Sequence, residues 1–144
     1  MRIERLGPGD ESRVLEAASL FDNPPRADAT ADFLARPDHY LFLAYDDGGA
    51  PAGFVSGVLM AHPDKGREMF LYELGVAEEQ RRHGYGRALV ERLAAAAREA
   101  GCYGMWVLAD ADNASAIATY ESAGGTPAPR SRMLSWTWGE GAPL

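Results

Sequence analysis

Glu68-Met69-Phe70-Leu71-Tyr72-Glu73-Leu74-Gly75-Val76 runs into Ala77-Glu78-Glu79-Gln80-Arg81-Arg82-His83-Gly84-Tyr85-Gly86, and then into Arg87-Ala88-Leu89-Val90-Glu91-Arg92-Leu93. The first segment is apolar and aromatic and reads as a strand from Met69 to Val76. The last opens an Ala/Leu/Arg/Glu helix over about Gly84 to Ala100, with Gly101 placed to end it. A basic, glycine-punctuated loop joins them. The first N–H groups of a helix have no partners within the helix, and its dipole favours negative charge there. Glycines at 84 and 86 remove the Cβ atoms that would hold an anion away from the backbone. The stretch therefore predicts a phosphate-holding turn between a strand and a helix.

A Gly-x-Gly before a helix is weak evidence alone, because a helix start that needs a flexible entry reads the same way. Two motifs sharpen it: Arg81-x-x-Gly84-x-Gly86, and downstream Asn113-x-x-Ala116-x-x-x-Tyr120-x-x-x-Gly124. Over residues 69–125 the chain resembles the GNAT superfamily of acyl-CoA-dependent N-acetyltransferases. The resemblance implies a single α/β domain over residues 1–144. Its fold would be a mixed central sheet of six to seven strands with about four helices, splayed between the central strand and the next. Two other phosphate loops are excluded. No Gly-Lys-Ser/Thr ending is present, and the third glycine of a dinucleotide fingerprint is replaced by Leu89.

Composition sets the outer bounds. A chain of 144 residues, 47% apolar and 10% aromatic, can bury a core and is not disordered. Its apolar runs are too short to span a bilayer, and Met1 to Leu6 lacks a signal-peptide core. The single cysteine, Cys102, reads as a small apolar residue in a strand and suits a reducing cytoplasm. The net charge of −7, from 21 acids and 14 bases, argues against nucleic-acid binding and suits a cationic partner. Solubility alone explains that number equally well.

In chain order, Arg2 to Leu6 predicts a strand and Gly7-Pro8-Gly9 a break. Asp10 offers an N-cap for a helix to about Phe21, and Asp28 or Thr30 starts a second that stops before Pro37. Tyr40 to Tyr45, the turn Asp46-Asp47-Gly48-Gly49 and Ala52 to Ala61 predict a hairpin, with Gly53 and Gly57 marking a bend or bulge. After the central strand and its helix comes a parallel strand, Tyr103 to Ala109. Asp112 or Asn113 then caps a helix ended by Gly124. Leu134, Trp136 and Trp138 stand at strand spacing near the C-terminus. Core packing explains that strand, and an intersubunit edge of a homodimer is the alternative.

Acetyl transfer from a thioester to an amine needs four things. The carrier's phosphates must be held, the carbonyl polarised, the amine neutral, and the leaving thiolate protonated. The resemblance gives the first to the loop Arg81, Arg82, His83, Gly84, Tyr85, Gly86 and Arg87, with acetyl-CoA as cosubstrate and no metal. It gives the second to a strand bulge at Leu74-Gly75-Val76, whose freed backbone groups at Leu74 and Val76 would pair with the thioester and pantetheine arm. Gly75 as a plain packing concession is the competing reading. Asn113, Ala116 and Tyr120 share a helical face. On it Tyr120 is the candidate acid, and Asn113 contacts the carrier or simply caps the helix. Glu73, a carboxylate in an apolar strand, is the candidate base or ammonium anchor; a solvent-facing residue is the bland alternative.

The acceptor is the least determined part. Tyr72-Glu73-Leu74-Gly75-Val76 followed by Arg81-Arg82-His83-Gly84 resembles the aminoglycoside 3-N-acetyltransferase branch, which carries Tyr-Asp-Leu-Ala-Val there. That implies a small polycationic substrate acylated at its 3-amine, an antibiotic-resistance activity, with Asp110 and Asp112 widening the negative surface around Glu73. Glu replaces Asp and Gly replaces Ala in this chain. Other amines remain open: a polyamine, an amino-sugar or a peptide N-terminus. So does a non-catalytic acyl-CoA-binding domain, against which Tyr120 and Glu73 both argue. No nucleic-acid or membrane partner is expected.

Overall fold

Two short hydrophobic alternations and one amphipathic helix build the frame. The computed structural model describes residues 1–139. Strand β1 is Arg2–Arg5, followed by helix α1, Glu11–Glu16, a 3-10 turn at Ala18–Leu20, and helix α2, Ala27–Ala35. Strands β2 (His39–Tyr45), β3 (Pro51–His62) and β4 (Gly66–Val76) follow. Helix α3 (Tyr85–Glu99), strand β5 (Cys102–Val107) and helix α4 (Ala114–Ser122) complete the order. The strands form one sheet in the order β1-β2-β3-β4-β5. Every neighbouring pair is antiparallel except β4 and β5, which the α3 crossover makes parallel, as expected.

β2 shows why the sheet is buried on both faces. Tyr40, Phe42 and Ala44 join one hydrophobic cluster, and Leu41, Leu43 and Tyr45 the other. The first cluster is closed by Tyr85, Leu89, Val90, Leu93 and Ala97 of α3. Leu89 and Leu93 are fully buried, each contributing about 1.5–3 kcal/mol by the usual transfer value. The second is closed by Val14 and Ala17 at α1 and Leu34 of α2. Arg13 ties α1 to the sheet by donating to the Tyr45 hydroxyl from Nε at 2.9 Å and by pairing with Glu4. Gly53 and Gly57 are where α3 presses hardest on the sheet. A Cβ on Gly57 would lie 2.9 Å from Leu93 Cδ2, and one on Gly53 3.0 Å from Leu89 Cδ1.

Four expectations change. The sheet has five strands among the described residues, not six to seven. The missing C-terminal strand is one cause: residues 131–138 form no strand, and Leu134, Trp136 and Trp138 stand 74%, 65% and 82% exposed rather than in the core. Side-chain alternation specifies a face but not a partner. The run Pro127-Ala128-Pro129 just upstream withholds backbone donors. The predicted first helix is split, α1 ending at Glu16 before the 3-10 turn. Asp10 does not cap it with its side chain; Oδ2 accepts instead from the Gly7 amide at 2.9 Å. No helix among the described residues is long and apolar enough to cross a membrane.

Candidate active site

β4 and β5 diverge at the middle of the sheet. Their pairing runs from Arg67 opposite Cys102 to Leu71 opposite Val107 and goes no further, while β4 continues to Val76. From Tyr72 to Val76 the backbone groups that point away from β3 therefore have no strand partner among the described residues. Alternate N–H and C=O groups stand open along this edge, ready to pair with an extended ligand.

A bulge lies at the start of this open edge, two to four residues upstream of its expected place. β3 and β4 pair in step from His62 with Gly66 to Gly57 with Leu71, and again from Ser56 with Glu73 to Gly53 with Val76. Tyr72 is the extra residue. The bulge does not form at Leu74-Gly75-Val76, because Gly75 sits in register opposite Phe54. A Cβ on Gly75 would lie 2.6 Å from the Leu20 carbonyl oxygen and 2.7 Å from Phe54 Cε1, so packing explains this glycine. Tyr72 can be extruded because its side chain is 50% exposed and rests edge-on to Phe70.

The bulge sets which way Glu73 points. Met69 and Leu71 belong to the cluster under α3, and so do Leu74 and Val76. The parity slips by one at Tyr72, and Glu73 turns to the α1–α2 face. There it is half-buried, in the wall of a cleft of about 170 Å³ lined also by Phe21, Thr30, Phe33, Leu41 and Ser56. Burial raises the Glu73 pKa above the usual carboxylate range, and the neighbouring Asp22 charge raises it further. A carboxylate in that state is short of positive partners and suited to take a proton or hold an ammonium.

Tyr120 reaches the opposite face. It is half-buried against the cluster under α3, and burial raises its phenol pKa. It therefore stays protonated at neutral pH, as a proton donor must. α4 carries it on a helix capped by Asn113, whose Oδ1 accepts from the Ala116 amide at 3.1 Å. The capping role of Asn113 is thus realised, and Ala116 is engaged through its backbone. Asp110 and Asp112 are exposed in the loop before α4 and do not line the Glu73 cleft. The acidic cluster expected around Glu73 is instead Glu73 with Asp22.

The loop before α3 is built to leave amides free. Arg82 has φ 66° and Gly84 φ 85°, two left-handed residues separated by His83, and α3 has no side-chain N-cap among the described residues. Among the described residues the N–H groups from Arg82 to Arg87 find no protein acceptor; the first helical bond runs from Ala88 to the Gly84 carbonyl at 3.0 Å. Arg81, Arg82 and His83 are exposed here, and a Cβ on Gly84 would meet open space. A row of unpartnered amides with basic side chains around it fits a pyrophosphate. Three expected members keep their amides in this row, while their side-chain positions serve the fold. The Tyr85 side chain is buried in the core. Gly86 serves helix packing, since a Cβ there would lie 3.0 Å from Thr119 Cγ2. Arg87 donates to Glu91 at 2.7 Å.

Sequence reasoning missed the Tyr72 bulge, the left-handed Arg82 and the cleft residues Thr30 and Ser56. The bulge had a signal in the shift of small and aliphatic residues from positions 69 and 71 to 74 and 76, masked by Phe70.

The acetyltransferase (GNAT) family model matches residues 11–125. No curated protein matches the chain. Among solved structures, the aminoglycoside acetyltransferase meta-AAC0020 from an uncultured soil metagenomic sample superposes with a TM-score of 0.85 at 20% identity, over 95% of each chain. Ribosomal-protein-alanine N-acetyltransferase from Brucella melitensis biovar Abortus gives 0.75 at 21%, over 94% of this chain and 100% of that one. AAC(6')-Iy in complex with a CoA-containing bisubstrate analogue gives 0.80 at 16%, over 94% and 97%. At these identities the likeness is one of fold.

Proposed function

We propose, since the chain belongs to the acetyltransferase (GNAT) family, that this acetyl-transferring enzyme acylates a primary amine held at Glu73, with Tyr120 protonating the leaving group. Acetyl-CoA, which enzymes of this family use, supplies a thioester whose acetyl carbon the amine attacks. The observation that carries the reading is the conjunction of the open β4 edge at Tyr72–Val76 with the unpartnered amides of Arg82–Arg87. The amides would hold the pyrophosphate, helped by the Arg81, Arg82 and His83 side chains. The open edge near Leu74 and Val76 would orient the pantetheine arm and donate to the thioester oxygen. Glu73 would hold the ammonium and take its proton, directly or through water, from the cleft side of the sheet. Tyr120 would give its proton to the departing sulfur from the other side.

An aminoglycoside acceptor is a second reading, favoured by two of the fold neighbours, which are named as aminoglycoside acetyltransferases. Its 3-amine rests on the resemblance of Tyr72–Val76 alone, and one of those neighbours is of the 6' class. Peptide termini are a further class, through the ribosomal-protein-alanine neighbour.

Glu73→Gln tests the core of the proposal. Acetyl-CoA affinity by calorimetry should be unchanged, while amine-dependent thiol release falls about 10²- to 10⁴-fold, the usual range for a general base. Wild-type turnover in the variant removes Glu73 from the chemistry.

A further inference from the structure

We propose that the acceptor is a compact primary monoamine whose body is a single apolar ring or an aliphatic chain of similar size. This deepens the acetyl-transfer reading and rests on it. Three features of the Glu73 surroundings carry it. The first is size. The cleft measures about 170 Å³, and a dry cavity of about 150 Å³ holds one benzene ring. One ring and a short arm to the carboxylate fill its enclosed part; a second ring would lie outside, toward solvent.

The second feature is the wall. Glu73 is the only carboxylate among the lining residues, the neighbouring Asp22 standing outside the lining, and Val14, Phe21, Phe33, Leu34 and Leu41 present hydrocarbon. Thr30 and Ser56 supply two buried hydroxyls. A polyhydroxylated, polycationic acceptor would surrender water at every hydroxyl and ammonium that entered, with only those groups to replace it. A monoamine surrenders water at one nitrogen, which meets Glu73. Arg26, also in the lining, has its guanidinium paired with Asp28 at 2.7 Å and adds no net anionic site for a second ammonium.

The third feature lies beside the cleft on the same sheet face. Tyr72 meets Phe70 edge-on at 5.7 Å between ring centroids, and Phe70 stacks on Trp106 at 4.3 Å. The strand next to Glu73 thus continues the apolar surface outward. Aromatic faces there suit a flat hydrocarbon or a cation, with the Tyr72 hydroxyl and the Trp106 indole N–H as the polar atoms of the patch.

The experiment is thiol release from acetyl-CoA with a panel of probes: phenethylamine, cyclohexylamine and ethylamine against a kanamycin-type aminoglycoside, spermidine and a short peptide. Ring-bearing monoamines should exceed the polycations and the peptide in kcat/KM by about ten-fold or more, the discrimination an apolar pocket gives. Ala29→Phe, at the exposed mouth of the cleft, should raise KM for phenethylamine about ten-fold and raise it for ethylamine far less. A polycation or peptide as best substrate overturns the inference and leaves acetyl transfer standing. So does an Ala29→Phe variant with unaltered phenethylamine KM. Thiol release with none of the amines, in protein that binds acetyl-CoA, overturns the acetyl-transfer reading itself.

Discussion

Gly75→Ala asks whether residue 75 is a packing site or a ligand site. The added methyl would lie 2.6 Å from the Leu20 carbonyl oxygen, 2.7 Å from Phe54 Cε1 and 3.1 Å from Phe54 Cδ1. Ordinary contacts begin near 3.4 Å, so its neighbours must retreat by several tenths of an ångström. Neither can do so freely. The Leu20 carbonyl belongs to the backbone of the 3-10 turn, and the Phe54 ring is 1% exposed and stacked on Phe21 at 4.0 Å. Overpacking of a closed core costs about 1–3 kcal/mol, and a backbone obstacle puts this case at about 2–3. At about 2–4 °C per kcal/mol for a chain near this size, the melting midpoint should fall by roughly 4–12 °C. Phe21 also lines the cleft, so the acceptor KM should rise, while acetyl-CoA affinity stays within a few-fold. Scanning calorimetry and acetyl-CoA titration measure the two effects separately. An unchanged midpoint with lost acetyl-CoA binding would rule out a packing role and return Gly75 to the ligand-binding edge.

Tyr120→Phe keeps the ring and removes the proton. Turnover should fall about 10²-fold with acetyl-CoA affinity nearly unchanged, as read by steady-state kinetics and calorimetry. In the wild type, burial raises the phenol pKa, so any alkaline loss of kcat due to Tyr120 should lie above the ordinary tyrosine value of about 10. Glu73 is raised in the folded state, so folding is favoured while it is protonated and that contribution is lost as pH rises through its folded pKa. Glu73→Gln should therefore be more stable than wild type at neutral pH, and the gain should vanish below the ordinary glutamate value of about 4.3; denaturant curves at the two pH values decide it. Arg82→Gly removes a left-handed non-glycine residue and should leave stability equal or raised by about 1 kcal/mol, while weakening acetyl-CoA binding through the lost charge. A loss of stability would show that the left-handed conformation costs the folded protein nothing at Arg82.

The frame was legible where local chemistry and tertiary structure agree. Asp46 to Gly49 made its turn, with Asp46 Oδ1 accepting from the Gly48 amide at 2.9 Å, because Asx chemistry is local. Gly101, at φ 80°, ended α3 for the same reason. Parallel β4 and β5 followed from a helical crossover. The bulge was misplaced because a glycine permits an irregularity without requiring one, and Phe54, distant in sequence, decides what residue 75 must accommodate. Glu73 was identified from its isolation among apolar neighbours, yet its cleft could not be read. Ser56 becomes its neighbour through the β3–β4 register set by the bulge, and Phe21 and Thr30 through packing of the segment after the 3-10 turn and of α2 on the sheet. Asp110 and Asp112 were expected as its companions from the family resemblance, but they are exposed in the loop before α4 and do not line the cleft.

The most direct test is mass spectrometry of a primary amine incubated with this protein and acetyl-CoA carrying an isotopically labelled acetyl group. Wild-type protein should yield one labelled acetyl group on the amine nitrogen and one equivalent of free CoA thiol per product, with both falling together in Glu73→Gln. Thiol release without labelled amine, or labelled amine formed as fast by Glu73→Gln as by wild type, would contradict it.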